Sequence, residues 1–392
     1  MQPRLSTRIA LLLSSSMTVM AGALIAPALP EMQRALARST NDELLVRLVL
    51  TLPALLTALF SPVAGWLADR FGRRQLLLGG LVVYLVSGTS GLYLSSLTHL
   101  LIGRGILGIA VACVSTSSIT LIADLFTAHE RQQFLGLQSG FMGLTAMIFL
   151  STGGWLADQH WRAPFGIYLF AMVVMWLAAR QIPETQRQVV SHAVAAHATR
   201  VPIPVFRVLV IYACGLLGML LFYLIPVQLP FYLQVMTEGV ASRAGIAIGC
   251  STLVGAATAL QYKRVRQFLG FRSIFAVMFA VVGVSFVLLA RAESYATVIA
   301  ALALSGIGFG LLVPNATVWL SSLAPELMRG RLIGGLMTSF FVGQFLSPVV
   351  AQPSLSSYGL GGWQGVYATA GYLSMAVAVA FFVGGPIWKR LR

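Results

Sequence analysis

Charge is what this sequence has least of. Only 9% of its 392 residues are Asp, Glu, Lys or Arg, against about a quarter in an ordinary soluble domain. So few ionic groups cannot cover a water-soluble protein of this length. Acids are the scarcer sign, with 11 Asp and Glu against 26 Lys and Arg. Cysteine is rare as well: Cys113, Cys214 and Cys250 sit in apolar runs without paired spacing, which argues against a disulfide framework or a zinc site. The histidines, His99, His129, His160, His192 and His197, fall in loops or at the ends of runs. Without a grouping of Ser, His and Asp, or of metal ligands, an enzymatic step is not expected. Neither is a cofactor or a bound metal.

Apolar sequence fills the space that charge leaves. Hydrophobic residues make up 58% of the chain, in runs of about 20, the length that crosses a roughly 30 Å hydrocarbon core as a helix. Twelve runs lie near 9–30, 44–66, 76–97, 100–123, 134–156, 163–182, 206–230, 243–262, 273–290, 296–321, 332–353 and 364–387. The first, preceded by Arg4 and Arg8, has the look of a secretory signal, but it is long enough to span and many spans follow. The expected class is an all-α membrane protein of twelve transmembrane helices.

The net charge of +15 invites a nucleic-acid partner, and its distribution argues against one. With the N-terminus inside, most basic residues fall in cytoplasmic loops and ends, among them Arg70, Arg73, Arg74, Arg131, Lys263, Arg264, Arg266, Arg329, Arg331 and the tail Lys389-Arg390-Leu391-Arg392. Basic residues resist translocation, so this asymmetry places both termini in the cytoplasm.

The longest polar stretch, PETQRQVVSHAVAAHATRVPIPVFR, lies between the sixth and seventh spans. It divides the chain into a first half, 1–182, a cytoplasmic linker, 183–205, and a second half, 206–392. A shift of 198 positions lays Gly72 on Gly270, Arg74 on Arg272, Gly108 on Gly306, Arg131 on Arg329 and Gly136 on Gly334. The same shift lays Gln267 on Asp69, Leu302 on Arg104 and Ser322 on Asp124. The halves repeat one scaffold, and the second lacks three charges that the first has.

One stretch concentrates charge: GWLADRFGRR, residues 65–74. Gly65 permits close helix approach, and Gly72 permits a turn that a side chain would hinder. Asp69 near a helix end can pair with cations or accept from free backbone amides. Asp124 ends the fourth span and Arg131 begins the fifth on the same side, so Asp69, Arg73 and Asp124, with Arg131 nearby, can latch neighbouring helices. Arg70 and Arg74 suit topology better than a latch.

GWLADRFGRR resembles the signature loop between the second and third spans of the major facilitator superfamily. Two parallel six-helix halves joined by a cytoplasmic linker are similar to its plan, and the resemblance covers nearly the whole chain. GRGILG in span four resembles the family's arginine motif. IAPALP in span one and IPET after span six are similar to the bacterial drug:proton antiporter branch. That branch often carries a Gly-Pro pair ahead of the Gly-Gly in span five, where this chain has Phe149 and Leu150 before Gly153-Gly154. The resemblance implies two pseudo-symmetric halves in a bacterial inner membrane and a latch that holds in the outward-open state. It also implies protons as coupling ion and a monomer in the bilayer.

An ionisable group at mid-membrane costs about 2.5–3.5 kcal/mol on insertion scales, so each one is a functional candidate. Arg104 lies about one turn into span four, on a face shared with Ser115, where a guanidinium could pair with a carboxylate or snorkel to the surface. Polar residues suited to a cavity between the halves are Ser14 and Thr18 in span one, with Gly22 on the same stripe, Gln138 in span five, and Tyr212, Tyr223 and Gln228 in span seven. Asn315 in span ten and Gln344 in span eleven complete the set. Glu31, after Pro30 at the periplasmic end of span one, is the proton-coupling candidate. With no carboxylate near mid-membrane, a neutral, zwitterionic or anionic solute fits better than a multivalent cation; a carboxylate siderophore or an apolar drug is compatible. The function expected is a secondary active exporter of small organic molecules working by alternating access. The alternatives are an importer of a small organic acid or sugar, and, in another class, an intramembrane enzyme or lipid-modifying protein.

Overall fold

The computed structural model describes residues 4–184, 204–236, 239–356 and 362–383. Most of the 183–205 linker and the basic tail lie outside the described residues. Among those described there is no strand. Hydrocarbon offers the backbone no water to bond, and a helix satisfies its peptide groups internally.

The first half runs through α1 (Leu5–Ala23), α2 (Leu29–Leu36), α3 (Thr40–Phe71), α4 (Arg73–Gly88), α5 (Leu97–Leu125), α6 (Ala128–Gln159) and α7 (Phe170–Gln181). The second runs through α8 (Val205–Met236), α9 (Ala241–Leu260), a short α10 (Tyr262–Phe268), α11 (Phe271–Ala290), α12 (Tyr295–Leu323), α13 (Glu326–Ser356) and α14 (Gly362–Val383). Twelve segments among them are long and apolar enough to cross a membrane. The side where α7 ends and α8 begins is here the linker side, and the opposite one the far side.

Three local features differ from the sequence expectation. Span one is not one helix: after Ala23 the chain takes a 3-10 turn, Ala26–Ala28, before α2. Pro27 and Pro30 lack the amide hydrogen that an unbroken helix needs. Span six opens as a 3-10 segment, Ala163–Leu169, with Pro164 in its first turn. The basic stretch after α9, expected as loop, forms α10.

The internal repeat has a three-dimensional counterpart. Arg74 Nη2 donates to the Ala179 carbonyl at the end of α7 (2.6 Å), and Arg272 Nη2 donates to the Phe381 carbonyl near the end of α14 (2.5 Å). Each guanidinium thus satisfies a carbonyl that the last turn of a helix leaves free. A Cβ on Gly108 would fall 2.4 Å from the Pro53 carbonyl oxygen, and one on Gly306 would fall 2.4 Å from that of Ser251. Pro53 and Ser251 are separated by the same shift that relates the two glycines. In both halves, then, a glycine lets α5 touch α3, or α12 touch α9, backbone to backbone.

The halves meet along α6 against α9, along α3 against α13, and where the turn between α1 and α2 reaches α8 and α9. The α6–α9 seam is built of small residues. A Cβ on Gly245 would lie 2.2 Å from the Leu150 carbonyl oxygen, one on Gly154 2.9 Å from Ser242 Cα, and one on Gly143 2.2 Å from Ala256 Cβ. The neighbouring Gly153 faces the first half instead, 2.4 Å by the same measure from the Leu24 carbonyl.

Gly108→Ala is therefore expected to overpack α5 against α3 and destabilise the protein by about 1–3 kcal/mol. Gly79→Ala on α4, where an added Cβ meets nothing within 4 Å, should be neutral. Thermal unfolding of the detergent-solubilised variants checks both. Equal melting temperatures would mean that the two helices do not touch at Gly108.

Candidate functional site

Gly72 separates α3 from α4 at φ 96°, a backbone state that side chains resist. The turn presents Arg73, which forms an ion pair with Asp124 in the last turn of α5. Both side chains are less than a quarter exposed, so the pair is only partly screened by water. Arg131 Nη2 donates to the Ala123 carbonyl at 2.7 Å, tying the start of α6 to the same corner. Thr127 caps α6 there, and hydrogen bonds from its hydroxyl and amide hold the Glu130 carboxyl below its usual range. That contribution is present at neutral pH and is lost as acid protonates Glu130.

Asp69 stands apart from this corner. It is exposed and has no ion pair among the described residues. The expected three-membered cluster is thus a two-membered one, Arg73 with Asp124, in this conformation. Arg70 is exposed as well, its guanidinium lying over the rings of Trp66 (5.2 Å) and Phe71 (5.7 Å), as a snorkelling side chain does. Gly65 has open space where a Cβ would be.

Arg104 is fully buried, but inside the first half. Its Nη1 donates to Tyr168 Oη at 2.8 Å, and its guanidinium lies 4.9 Å from the Phe165 ring and 5.2 Å from that of Tyr168. Both rings belong to the 3-10 segment ahead of α7, whose main packing partners are α4, α6, α7 and the 3-10 turn Thr89–Leu92, all in the first half. The contacts that hold it therefore lie within the first half and away from the substrate role expected, while its Nε and Nη2 are buried without a hydrogen-bond partner among the described residues. Ser115, expected on the same cavity face, bonds its own helix at the Ala112 carbonyl.

A second buried arginine was missed from the sequence. Arg47, in the second turn of α3, has only 2% of its side chain exposed. Its Nη1 donates to Gln352 Oε1 on α13 at 2.6 Å, and its guanidinium lies 5.1 Å from the ring of Phe231 on α8 and 5.4 Å from that of Trp363 on α14. The two rings stack on each other, centroids 5.5 Å apart and planes 14° off parallel. Glu43 approaches only to 4.0 Å and is 41% exposed. Each cation–ring contact in such a desolvated place contributes about 0.5–2 kcal/mol. The signal was present, since Arg47 falls inside the span 44–66.

The remaining candidates divide between the seam and the interiors of the halves. Ser14 and Thr18 bond backbone carbonyls of α1, and Gln138 donates to Ser15 Oγ at 2.7 Å. Tyr212 Oη is committed to the Leu332 carbonyl. Asn315 is fully buried, donating to the Phe271 carbonyl and accepting from Tyr262 Oη, so it is a structural bond of the second half and not the ligand group expected. Gln344 has Met219 Sδ at 3.9 Å. Across the seam, Tyr223 Oη sits where a Cβ on Gly22 would come within 2.9 Å, which brings the α1 stripe and α8 together. Gln228 is fully buried, and neither atom of its amide has a hydrogen-bond partner among the described residues.

Far-side polar contacts join the halves at two further places. Gln234 Nε2 on α8 donates to Glu31 Oε1 on α2 at 3.1 Å, and Glu31 also accepts from Arg34 at 2.7 Å. Asp158 at the end of α6 accepts from the amides of Ala241 (2.6 Å) and Ser242 (3.2 Å), capping the N-terminus of α9 from the other half.

Two repeated six-span sets of helices, the first with an ion pair at its linker-side corner and the two joined by polar contacts on the far side, define a polytopic membrane protein. The model of the Major Facilitator Superfamily matches residues 11–261 and 236–390. The chain belongs to the Major Facilitator Superfamily, a family of transporters. It is 25% identical over 308 residues to multidrug resistance protein 1 of Bacillus subtilis, covering 76% of this chain and 77% of that protein. It is 32% identical over 127 residues to the multidrug transporter protein MdtP of the same organism, a match to 31% of this chain that spans only 24% of that protein. Among solved structures, a D-xylose-proton symporter superposes with a TM-score of 0.80 at 16% identity, covering 96% of both chains. The human organic anion transporter MFSD10 does so at 0.71 and 17%, covering 97% of this chain and all of that one. At such identities these two likenesses concern the fold.

Tyr168→Phe is expected to leave the Arg104 guanidinium without its hydroxyl partner, at a cost of about 1–3 kcal/mol. The melting temperature should fall while transport at permissive temperature survives. Loss of transport at unchanged stability would return Arg104 to the transport mechanism.

Proposed function

We propose that this transporter is a proton-coupled exporter of small organic molecules, working by alternating access in a bacterial inner membrane with both termini in the cytoplasm. The observation that carries the substrate class is the placement of the carboxylates. Asp42, Glu43, Asp69, Asp124 and Asp158 stand in the first or last turns of their helices, leaving neutral polar groups at the seam. Tyr223, which meets the Gly22 stripe across the seam, and the unpartnered Gln228 are the groups proposed to face the solute, with Thr18 and Gln344 beside them. A buried amide without partners costs about 1–3 kcal/mol, an expense that a ligand bonding to it would offset. A neutral or zwitterionic solute suits this set better than a multivalent cation. An anionic solute loses the support of Arg104. The partial likeness to two multidrug proteins supports export, and both the α1 stripe and α8 take part in the site.

In this scheme the far-side contacts and the unpaired Asp69 belong to the state open towards the cytoplasm. Asp69 then gains its partner when the linker side closes. Asp69→Asn is expected to slow transport roughly tenfold at matched expression, equivalent to about 1.4 kcal/mol between states. Arg70→Gln, which touches only surface rings, should transport as the unmodified protein does. Equal rates for Asp69→Asn and the unmodified protein would remove Asp69 from the mechanism.

Glu31 is the candidate proton carrier, because protonation would weaken its acceptance from Gln234 across the halves. Comparison of metabolites in medium and cells, with the protein deleted or overproduced, identifies a substrate and its direction. Purified protein in vesicles under an imposed pH gradient should then drive that substrate. Glu31→Gln is expected to abolish the acceleration by the gradient. Gradient-driven transport that persists intact in Glu31→Gln would eliminate Glu31, and no gradient effect in the unmodified protein would overturn proton coupling.

A further inference from the structure

Arg47 occupies a position unlike that of any other described arginine: it belongs to one half and is held by the other. Gln352, Phe231 and Trp363 come from α13, α8 and α14 of the second half. Its one ion-pair partner among the described residues, Glu43 on the same helix, is at 4.0 Å and 41% exposed, a weak counter-charge. The cation therefore depends for its burial on groups that would move as one body if the halves separated. A cleft of about 490 Å³ lies immediately outside, lined by Gln33, Arg38, Glu43, Phe231 and Gln234 among others, so that Glu43 and Phe231 belong to both the cleft and the surroundings of Arg47. Arg47 does not line the cleft itself; it is buried behind Glu43 and Phe231, which do.

We infer that Arg47 is the gating residue of the far side, a cation clamped between the halves whose release from Phe231, Trp363 and Gln352 opens a path inward from the cleft. This rests on the alternating-access scheme for its direction, but the clamp itself is a property of the two halves. The Glu31–Gln234 and Asp158–α9 contacts are more exposed, and water screens what they contribute. The Arg47 clamp is desolvated and has two discrete conditions. Closed, the guanidinium is enclosed by rings; open, it is hydrated, and intermediate separations lose the ring contacts without gaining a full shell of water. Such a contact makes a barrier between states and not a soft spring.

The test uses cysteine accessibility and needs no knowledge of the substrate. Thr51 lies one turn further along α3 than Arg47, on the same face, and is fully buried. In protein with Cys113, Cys214 and Cys250 replaced by alanine, a Thr51→Cys reporter is reacted in detergent with a bulky water-soluble maleimide. Adding Arg47→Gln is expected to raise the labelling rate about tenfold, the population shift of a gate that has lost its clamp. Arg47→Lys, which keeps a cation between the rings, should label more slowly than Arg47→Gln. A reporter at Ser374→Cys, buried within the second half where Ser374 bonds the Phe279 carbonyl, should stay unreactive throughout. An unchanged rate at Thr51→Cys overturns the inference. So does a parallel rise at Ser374→Cys, the signature of general loosening, or a lysine variant as open as the glutamine one. If transport proves not to be proton-coupled export while the labelling result holds, the proposed function fails and the gate stands.

Discussion

A guanidinium keeps its charge wherever it is placed, because its pKa lies too far above neutrality for burial to discharge it. In a membrane interior that leaves housing as the remaining solution, and this protein uses the same housing twice. Arg104 lies between Phe165 and Tyr168 with one hydroxyl bond; Arg47 lies against Phe231 and Trp363 with one amide bond. Among the described residues Arg104 has no carboxylate partner, and Arg47 has only the partly exposed Glu43 at 4.0 Å. Aromatic faces supply partial negative charge without needing solvation of their own, so the pocket remains apolar enough for lipid surroundings. The difference lies in ownership. Arg104 and its rings all belong to the first half and move together, whereas the groups around Arg47 are divided between the halves.

The repeat determines which interactions are scaffold and which are specialised. Contacts present in both halves, such as Arg74 and Arg272 at helix ends and Gly108 and Gly306 at backbone crossings, are needed wherever six helices pack this way. Contacts present in one half are free to serve a change of state. The Arg73–Asp124 pair has no counterpart because Ser322 occupies the second position. Far-side closure has no symmetric partner either, since it is made between the halves. Asymmetry alone does not mark a switching part, since Arg104, opposite Leu302 in the repeat, is enclosed by residues of its own half.

Much of this was legible in the sequence because hydrophobic length and the positions of Gly and Pro are local properties. The spans, the repeat and the charged turn at Gly72 follow from residues near one another in the chain. What required the structure was the company each polar residue keeps. Arg104 was correctly identified as embedded, yet its enclosing rings lie more than sixty positions later, and nothing nearby announces them. Asn315 has the same history, bonded to Phe271 and Tyr262 on other helices. Arg47 went unremarked although it lies inside a span, and its enclosing groups, Phe231, Gln352 and Trp363, lie far away in the chain.

The seam of small residues along α6 and α9 has a mechanical consequence. Where large side chains interlock, one surface slides over another only by changing rotamers, and each change meets a barrier. Gly143, Gly154 and Gly245 instead set backbone against backbone or methyl, with Met147 opposite Gly249 as a larger side chain along the same line. Such a surface acts as a bearing. It holds two bodies at a fixed distance while offering little resistance to rolling, so the work of changing state falls on the contacts at the rims and not on the axle.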